Sequence, residues 1–90
     1  MPKVKFTSAL KRFFPSLAET HLEASTVKEV LDQLNERYPG LSHYLVEDSG
    51  QLRQHVNVFV RDERIRDRAA LSDRVAPQDE ILIFQALSGG

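Results

Sequence analysis

The alternation of apolar and polar residues predicts three strands along the chain. Between residues 4 and 10 apolar side chains alternate with mostly polar ones, which predicts a half-buried strand ending near residues 11–12. Residues 56–60 alternate three valines with Asn57 and Phe59, and this richness in β-branched side chains predicts a second, well-formed strand. Residues 81–87 are apolar at nearly every position, which is typical of a central strand covered on both faces.

One long helix is predicted between the first strand and the middle strand. Thr26 and Glu29 have the spacing of a capping box, in which each side chain satisfies a free backbone N–H at the helix start. Pro39 and Gly40 are expected to end the helix. The apolar residues that recur at intervals of three and four, and so share one helical face, are Val27, Val30, Leu31, Leu34 and Tyr38.

The remaining segments predict short elements. They are a turn over 13–16, a weak strand over 17–22 that pairs with the first, a helical turn near 41–45, a turn over 61–64 followed by a short strand at Ile65, a helical turn over 71–75 and a tight turn over 77–80. Together the elements predict an α+β fold in two layers, with a mixed sheet of four to five strands packed on one main helix.

Composition and charge narrow the classes of function. A chain of 90 residues predicts a single domain over 1–90. Its net charge of −1 gives no overall attraction to nucleic acid or a membrane, and neither is an expected partner. The absence of cysteine excludes disulfides, thiolate metal sites and a cysteine nucleophile. We expect a cytoplasmic protein, because the N-terminus, Met1-Pro2-Lys3-Val4-Lys5, lacks the long apolar run of a signal peptide.

No pattern of residues predicts an active site. His21, His43 and His55 lack the close spacing of metal ligands, so no metal site is expected. Ser, His and Asp residues occur without a nucleophile motif, and we expect no catalytic residue on this chain. The arginines of residues 61–74 are interleaved with carboxylates, which favours a solvated mixed surface over a nucleic-acid site.

The chain resembles the MoaD/ThiS family of bacterial sulfur carriers over essentially its whole length. The resemblance lies in the opening strand 4–6, the helical stretch 26–34 running into Arg37-Tyr38-Pro39-Gly40-Leu41, the strand 55–60, and the closing stretch 79–90. The last strand is followed by Ser88-Gly89-Gly90 at the end of the sequence, and this combination is the most specific part. The resemblance implies the ubiquitin-like β-grasp fold.

The family resemblance also implies a mechanism centred on Gly90. A ubiquitin-activating-type enzyme adenylates the Gly90 carboxylate with ATP, a sulfur donor converts it to a thiocarboxylate, and a downstream synthase accepts the sulfur. Ser88 and Gly89 are expected to form a flexible tail (residues 88–90) that is narrow enough to enter a partner's active site. The carrier itself is expected to bind no cofactor and to be a monomer when free.

Apolar residues of the last strand predict a surface for these partners. The helix can cover one face of the sheet, so if Ile81 and Ile83 point inward, Leu82 and Phe84 point outward, near Phe59. An exposed apolar patch of this kind is typical of a protein–protein contact. The alternative is that a loop such as 41–53 covers the patch. Phe13 and Phe14 are expected in a turn, with one ring packed on the core.

Three functions remain open from the sequence. The sulfur carrier is favoured, with molybdopterin-type or cysteine-type biosynthesis as its destination. The second is a ubiquitin-like protein modifier, joined through Gly90 to lysines of target proteins. The third is a non-catalytic binding module with an incidental tail. Arg61-Asp62-Glu63 stands where relatives often have Asn-Gly, and Gln85 where many have proline.

Overall fold

The computed structural model describes residues 1–85, which form a five-stranded mixed sheet and three helices. The strands are β1 (Lys3–Phe6), β2 (Thr20–His21), β3 (Val56–Val60), β4 (Glu63–Arg64) and β5 (Glu80–Gln85). The helices are α1 (Ser8–Lys11), α2 (Val27–Arg37) and α3 (Ser42–Leu45). The strand order is β2-β1-β5-β3-β4, with β1 and β5 parallel and the other neighbours antiparallel. This arrangement confirms the predicted β-grasp architecture.

Helix α2 begins close to where its capping residues predict. The Thr26 hydroxyl accepts a hydrogen bond from the Glu29 N–H at 3.2 Å, as expected for an N-cap. In a standard capping box the Glu29 carboxylate would accept a hydrogen bond from the N–H of the N-cap residue, Thr26. Here it accepts from the N–H of the preceding residue, Ser25, at 2.6 Å. At the other end, Gly40 has a φ of +95°, a conformation that favours glycine and turns the chain out of the helix.

The core lies between α2 and one face of the sheet. Val27, Val30 and Leu34 of α2 are fully buried, and so are Val58 and Ile83 of the sheet. The buried apolar residues form one continuous cluster, to which the segment after α2 contributes Leu41, Leu45 and Leu52. Each such side chain contributes about 1.5–3 kcal/mol on burial, so this cluster is the main source of stability. Among residues 1–85, no helix is long and apolar enough to cross a membrane.

The first strand is shorter than predicted. β1 ends at Phe6, and Ser8–Lys11 forms the helical turn α1 instead of continuing the strand. Leu10 is the buried residue of α1, so the helical turn still places this apolar side chain in the core, as a longer strand would also have done. The weak second strand is likewise reduced, since only Thr20 and His21 pair with β1.

Two predictions for residues 61–75 are also wrong. The turn after β3 is a two-residue hairpin loop of Arg61 and Asp62, so β4 begins at Glu63 and not at Ile65. No helical turn forms over residues 71–75, because Leu71 has a φ of +58° and the chain then runs alongside the start of α2. In that position the Asp73 carbonyl accepts from Val27 N at 3.0 Å, which satisfies a free N–H of α2.

Candidate functional site

The strand that leads to the C-terminal tail lies in the centre of the sheet. β5 pairs with β1 on one side over Lys3–Phe6 and with β3 on the other over Val56–Val60. Ile81 and Ile83 point into the core and are fully buried, whereas Leu82 is half-buried and Phe84 is exposed. β5 is therefore central, but it is not covered on both faces as its apolar run predicts. Because β5 is held on both edges, the point at which the tail leaves the sheet is fixed by the rest of the fold.

Thr7 lies beside the end of β5. Its backbone N–H donates to the Ile83 carbonyl at 3.2 Å, and its hydroxyl accepts a long hydrogen bond from Gln85 N at 3.5 Å. The side-chain Oε1 of Gln85 is buried and has no hydrogen-bond partner among residues 1–85. Gln85 is the last residue that the structure describes. The predicted tail residues Ser88 and Gly89 and the predicted reactive residue Gly90 therefore lie outside the described residues.

The structure places the three residues of the predicted partner surface together on the face that α2 leaves open. Leu82 lies opposite Phe59, and Phe84 lies opposite Asn57 in the same antiparallel ladder. Phe84 keeps 38% of its surface exposed, while Phe59 and Leu82 are half-buried. Phe59, Leu82 and Phe84 will be called the open-face patch. Their role in binding stays a prediction.

Charged residues flank the open-face patch on the side of β1. The Lys5 ammonium forms a salt bridge with the Glu80 carboxylate at 2.7 Å, and Lys3 lies 3.6 Å from Glu19. The Lys5–Glu80 hydrogen bond raises the pKa of Lys5 and lowers the pKa of Glu80. Both groups are solvent-exposed, so this pair adds little to stability and mainly sets the charge around the patch.

A second exposed apolar group consists of aromatic residues near α1 and α3. The rings of Phe13 and Tyr44 stack with centroids 5.0 Å apart, and Phe14 meets Tyr44 edge-on at 5.3 Å. Phe14 packs against the core, which confirms the expectation for one ring of this turn, whereas Phe13 remains 53% exposed. No local pattern connects Tyr44 with Phe13, because the two residues are 31 positions apart and meet through tertiary packing.

The acidic residues with unusual environments have structural roles. The Asp67 carboxylate accepts hydrogen bonds from the Ser72 hydroxyl at 2.5 Å and from the backbone N–H groups of Ala69, Ala70 and Ser72, and these lower its pKa to about 2. Asp79 is buried, accepts from Ala76 N at 2.7 Å and lies 3.4 Å from Arg61 Nε. Each carboxylate holds a loop in shape.

Within residues 1–85 there is no cluster of three His, Asp or Glu side chains that could hold a metal ion. A cleft of about 510 Å³ lies between α2 and the loops at 46–50 and 69–71. Leu31, Val46 and Leu71 line it together with Lys28 and Asp32, which form a salt bridge with each other at 3.0 Å.

Comparison with known proteins identifies the family. The model of the ThiS family matches residues 4–90. The chain belongs to the ThiS family. The match confirms the MoaD/ThiS resemblance, and it extends over the Gly-Gly end as well as over the folded part.

Curated relatives of this ThiS-family chain are carriers and modifiers. The sulfur carrier protein CysO of Mycobacterium tuberculosis is 34% identical over 67 residues, which is 72% of each chain. Small archaeal modifier protein 1 of Haloferax volcanii is 36% identical over 66 residues, covering 73% of this chain and 71% of the relative.

Solved structures of such proteins share the whole fold. The structure of the BexX/CysO complex of Amycolatopsis orientalis matches with a TM-score of 0.84 and 27% identity over 100% of both chains. The CysO structure of M. tuberculosis matches with a TM-score of 0.81 and 26% identity, covering 97% of this chain and 100% of that one.

Proposed function

We propose that this ThiS-family protein is a sulfur carrier whose reactive group is the carboxylate of Gly90. The observation that carries the proposal is the Gly-Gly sequence that closes a family match running from the first strand to residue 90. The identity with CysO, a sulfur carrier, supports the same function.

The proposed chemistry takes place at the carboxylate of Gly90. The Gly90 carboxylate attacks the α-phosphate of ATP, pyrophosphate leaves, and an acyl-adenylate forms. Hydrosulfide supplied by the sulfur donor then attacks the acyl carbon, displaces AMP and loses its proton, which leaves a thiocarboxylate on Gly90. The thiocarboxylate donates its sulfur in a biosynthetic reaction. ATP is bound by the activating enzyme, and the catalytic side chains belong to the partner enzymes.

The fold suits a carrier that presents its C-terminal residues to partner enzymes. β5 is fixed in the centre of the sheet, so residues 86–90 begin from a defined point on a rigid domain. Five residues can reach at most about 17 Å from that point. Glycine lacks a Cβ, which lets the backbone at Gly89 and Gly90 pass through a channel too narrow for larger residues.

The open-face patch is the surface by which the partner enzymes recognise the carrier. Phe59, Leu82 and Phe84 are contiguous, apolar and partly exposed; Leu82 and Phe84 lie on β5, which leads to the tail, and Phe59 lies on the neighbouring strand β3. A partner that binds these residues is positioned so that its active site can receive Gly90. Aromatic residues are enriched in the energetic centres of protein–protein interfaces, which makes Phe84 the first residue to test.

The similarity to CysO favours a cysteine-type pathway over a molybdopterin-type pathway as the destination of the sulfur. A relative, CysO, forms a complex with BexX. This complex supports the expectation that our chain also works by forming complexes with partner enzymes. The downstream synthase would accept sulfur from the same terminal group that the activating enzyme loads.

A second candidate function is protein modification, which the similarity to small archaeal modifier protein 1 favours. In this function, the activated Gly90 forms an isopeptide bond with a lysine of a target protein. Denaturing gels of a host extract that contains the tagged protein distinguish the two. Covalent ladders that depend on Gly90 support modification, and a single band supports a dedicated carrier.

The direct test is intact-mass analysis of the protein purified from its own host. A mass increase equal to the exchange of one oxygen for one sulfur, localised to Gly90 by fragmentation, is the expected result. The protein lacking Gly89 and Gly90 serves as the control and should show no increase. If the host's activating enzyme, ATP and a sulfur donor never produce the thiocarboxylate, the sulfur-carrier function is wrong.

A further inference from the structure

The stacked pair of Phe13 and Tyr44 lies at the end of the molecule from which the tail emerges. α1 directly follows β1, and β1 is parallel to β5, with Phe6 opposite Ile83. α1 and the turn after it therefore lie beside the last residues of β5. Phe13 belongs to that turn and is 53% exposed.

Tyr44 reaches the same end of the molecule from the other side of β5. Val56 pairs with Gln85, so the residues that precede β3 lie where β5 ends. Among them, Arg53 donates from its backbone N–H to the Leu45 carbonyl at 3.0 Å and from Nε to the His43 carbonyl at 2.9 Å. These bonds hold α3, and with it Tyr44, near the start of the tail.

The two segments that supply this pair contain no acidic residue, and the acidic residue nearest to Tyr44 in sequence, Glu47, is paired with Arg53 at 3.1 Å. None of the chain's 13 Asp and Glu residues occurs in residues 7–18 or 37–46, which supply Phe13 and Tyr44. Lys11 and Arg12 directly precede Phe13, are exposed, and form no salt bridge within residues 1–85. The chain as a whole has a net charge of −1, so this local excess of positive charge is a property of one end of the molecule.

We propose that Lys11, Arg12, Phe13 and Tyr44 form a second docking surface, here called the tail-side surface. It binds the surface of the activating enzyme around the channel that receives the tail. That surface carries acidic residues and an apolar pocket. The inference rests on the proposed adenylation of Gly90. An enzyme that encloses residues 86–90 faces the surface from which they emerge, and an acidic rim would complement Lys11 and Arg12 while a pocket receives the Phe13 ring.

The geometry favours a protein partner over a nucleic acid. Bases bind single-stranded sites by stacking on free aromatic faces. Here the Phe13 and Tyr44 rings stack on each other at an interplanar angle of 25°, so each ring already has one face covered by the other. Two adjacent cations also give only weak electrostatic attraction to a nucleic acid backbone. They suffice to steer docking on an acidic protein surface.

The test is ATP–pyrophosphate exchange catalysed by the activating enzyme of the same organism, with KM measured for the carrier. Lys11→Glu should raise KM about 3- to 5-fold with kcat unchanged, because rim charges affect encounter more than chemistry. Lys11→Glu combined with Arg12→Glu should raise KM by about 10-fold or more, and the effect should shrink as salt screens the charges. Phe13→Ser should raise KM about 10-fold without that salt dependence.

Lys28→Glu is the control for the change of charge, because Lys28 is an exposed lysine on α2 and the substitution alters the net charge by the same amount. The Lys28–Asp32 salt bridge that it removes is highly exposed, so the protein should remain folded. Its KM should stay within about 2-fold of the unsubstituted protein. Thermal melting of the Lys11 and Arg12 variants should match the parent, since both residues are exposed and form no salt bridge within residues 1–85. Phe13→Ser removes the stacking on Tyr44 and should lower the melting temperature slightly while leaving the protein folded at the assay temperature.

Several results would overturn the tail-side surface. Equal KM values for Lys11→Glu and Lys28→Glu would do so, and so would a defect confined to transfer of sulfur to the acceptor enzyme. A change in the carrier's own oligomeric mass on Phe13→Ser would assign the surface to a second copy instead, and loss of RNA binding by the charge variants would assign it to nucleic acid. If the parent itself supports no exchange, the proposed function fails together with this inference.

Discussion

Leu82 in β5 lies directly opposite Phe59 in β3, on the face of the sheet that α2 does not cover. On its other side Leu82 pairs with Lys5 in the parallel ladder with β1. An apolar pair is thus held in the middle of an open face, with the Lys5–Glu80 salt bridge at its edge. Its neighbours along β5, Ile81 and Ile83, are fully buried on the opposite face.

Phe84→Asp should separate partner binding from folding. Phe84 is 38% exposed, so the substitution should lower the free energy of unfolding by no more than about 1 kcal/mol. We expect it to weaken binding to the activating enzyme by 10-fold or more, on the order of a hot-spot aromatic. Urea denaturation and titration calorimetry measure the two effects.

Ile83→Ala on the opposite face is the control for that experiment. It should lower the free energy of unfolding by about 2–5 kcal/mol because it leaves a cavity in the core. The fraction that remains folded should bind the activating enzyme normally. Unchanged binding by Phe84→Asp would show that the open-face patch is no partner surface.

Gly89→Val should abolish adenylation without affecting the folded domain. A branched side chain adds bulk to a segment that must pass through a narrow channel, and it restricts the backbone. ATP–pyrophosphate exchange should fall by at least about 100-fold, a loss that corresponds to about 2.7 kcal/mol or more in the transition state. The melting temperature should stay the same, and exchange at the parental rate would argue against a tail that enters the active site.

Asp62→Gly should stabilise the β3–β4 hairpin. Arg61 and Asp62 have φ values of +52° and +68°, the left-handed conformation that both central residues of a type I′ turn require. Glycine adopts it without strain, so we expect a gain of about 0.5–1 kcal/mol in urea denaturation. Arg61 is left in place because its Nε lies 3.4 Å from the Asp79 carboxylate.

Glu63→Gly at the next position is the comparison for the hairpin. Glu63 lies in extended backbone in β4, where glycine should destabilise by about 0.5–1 kcal/mol. Opposite signs for the two glycine substitutions would establish that backbone conformation, and not loss of an acidic side chain, sets their effects. A destabilising Asp62→Gly would contradict the prediction.

Asp67 should make stability depend on pH in the acid range. Its folded-state pKa is lowered to about 2 by the Ser72 hydroxyl and by backbone N–H groups, from a usual value of 3.8. A lowered folded-state pKa means that the carboxylate stabilises the fold above about pH 4 and loses that contribution as the pH falls towards 2. Asp67→Asn should therefore be destabilised relative to the parent at neutral pH and approach it near pH 2.

The same loop offers a second measurement. Ser72→Ala removes the largest cause of the shift, so the pKa of Asp67 should move back towards its usual value. NMR titration of the Asp67 carboxyl measures this directly. An unchanged pKa in Ser72→Ala would mean that the backbone N–H groups alone hold the carboxylate in its charged form.

Much of the fold followed from local pattern. The period-two valines of β3, the apolar face of α2 and the continuous apolar run of β5 each specify their element through side chains a few residues apart. The Gly-Gly sequence after that run pointed to the family and to Gly90. These features depend on spacing along the chain, and a single sequence therefore contains them.

Only the tertiary structure decided the rest, because it depends on residues far apart in sequence. Ser8–Lys11 is helical although its pattern also fits a strand, since burial of Leu10 against the core selects between two conformations of similar local preference. Pairing of β1 with β5 places α1 beside the end of β5, and packing of α3 then sets Tyr44 on Phe13. The sequence by itself determined which residues are apolar and where the chain ends in glycine, whereas long-range pairing determined which surfaces surround the start of the tail.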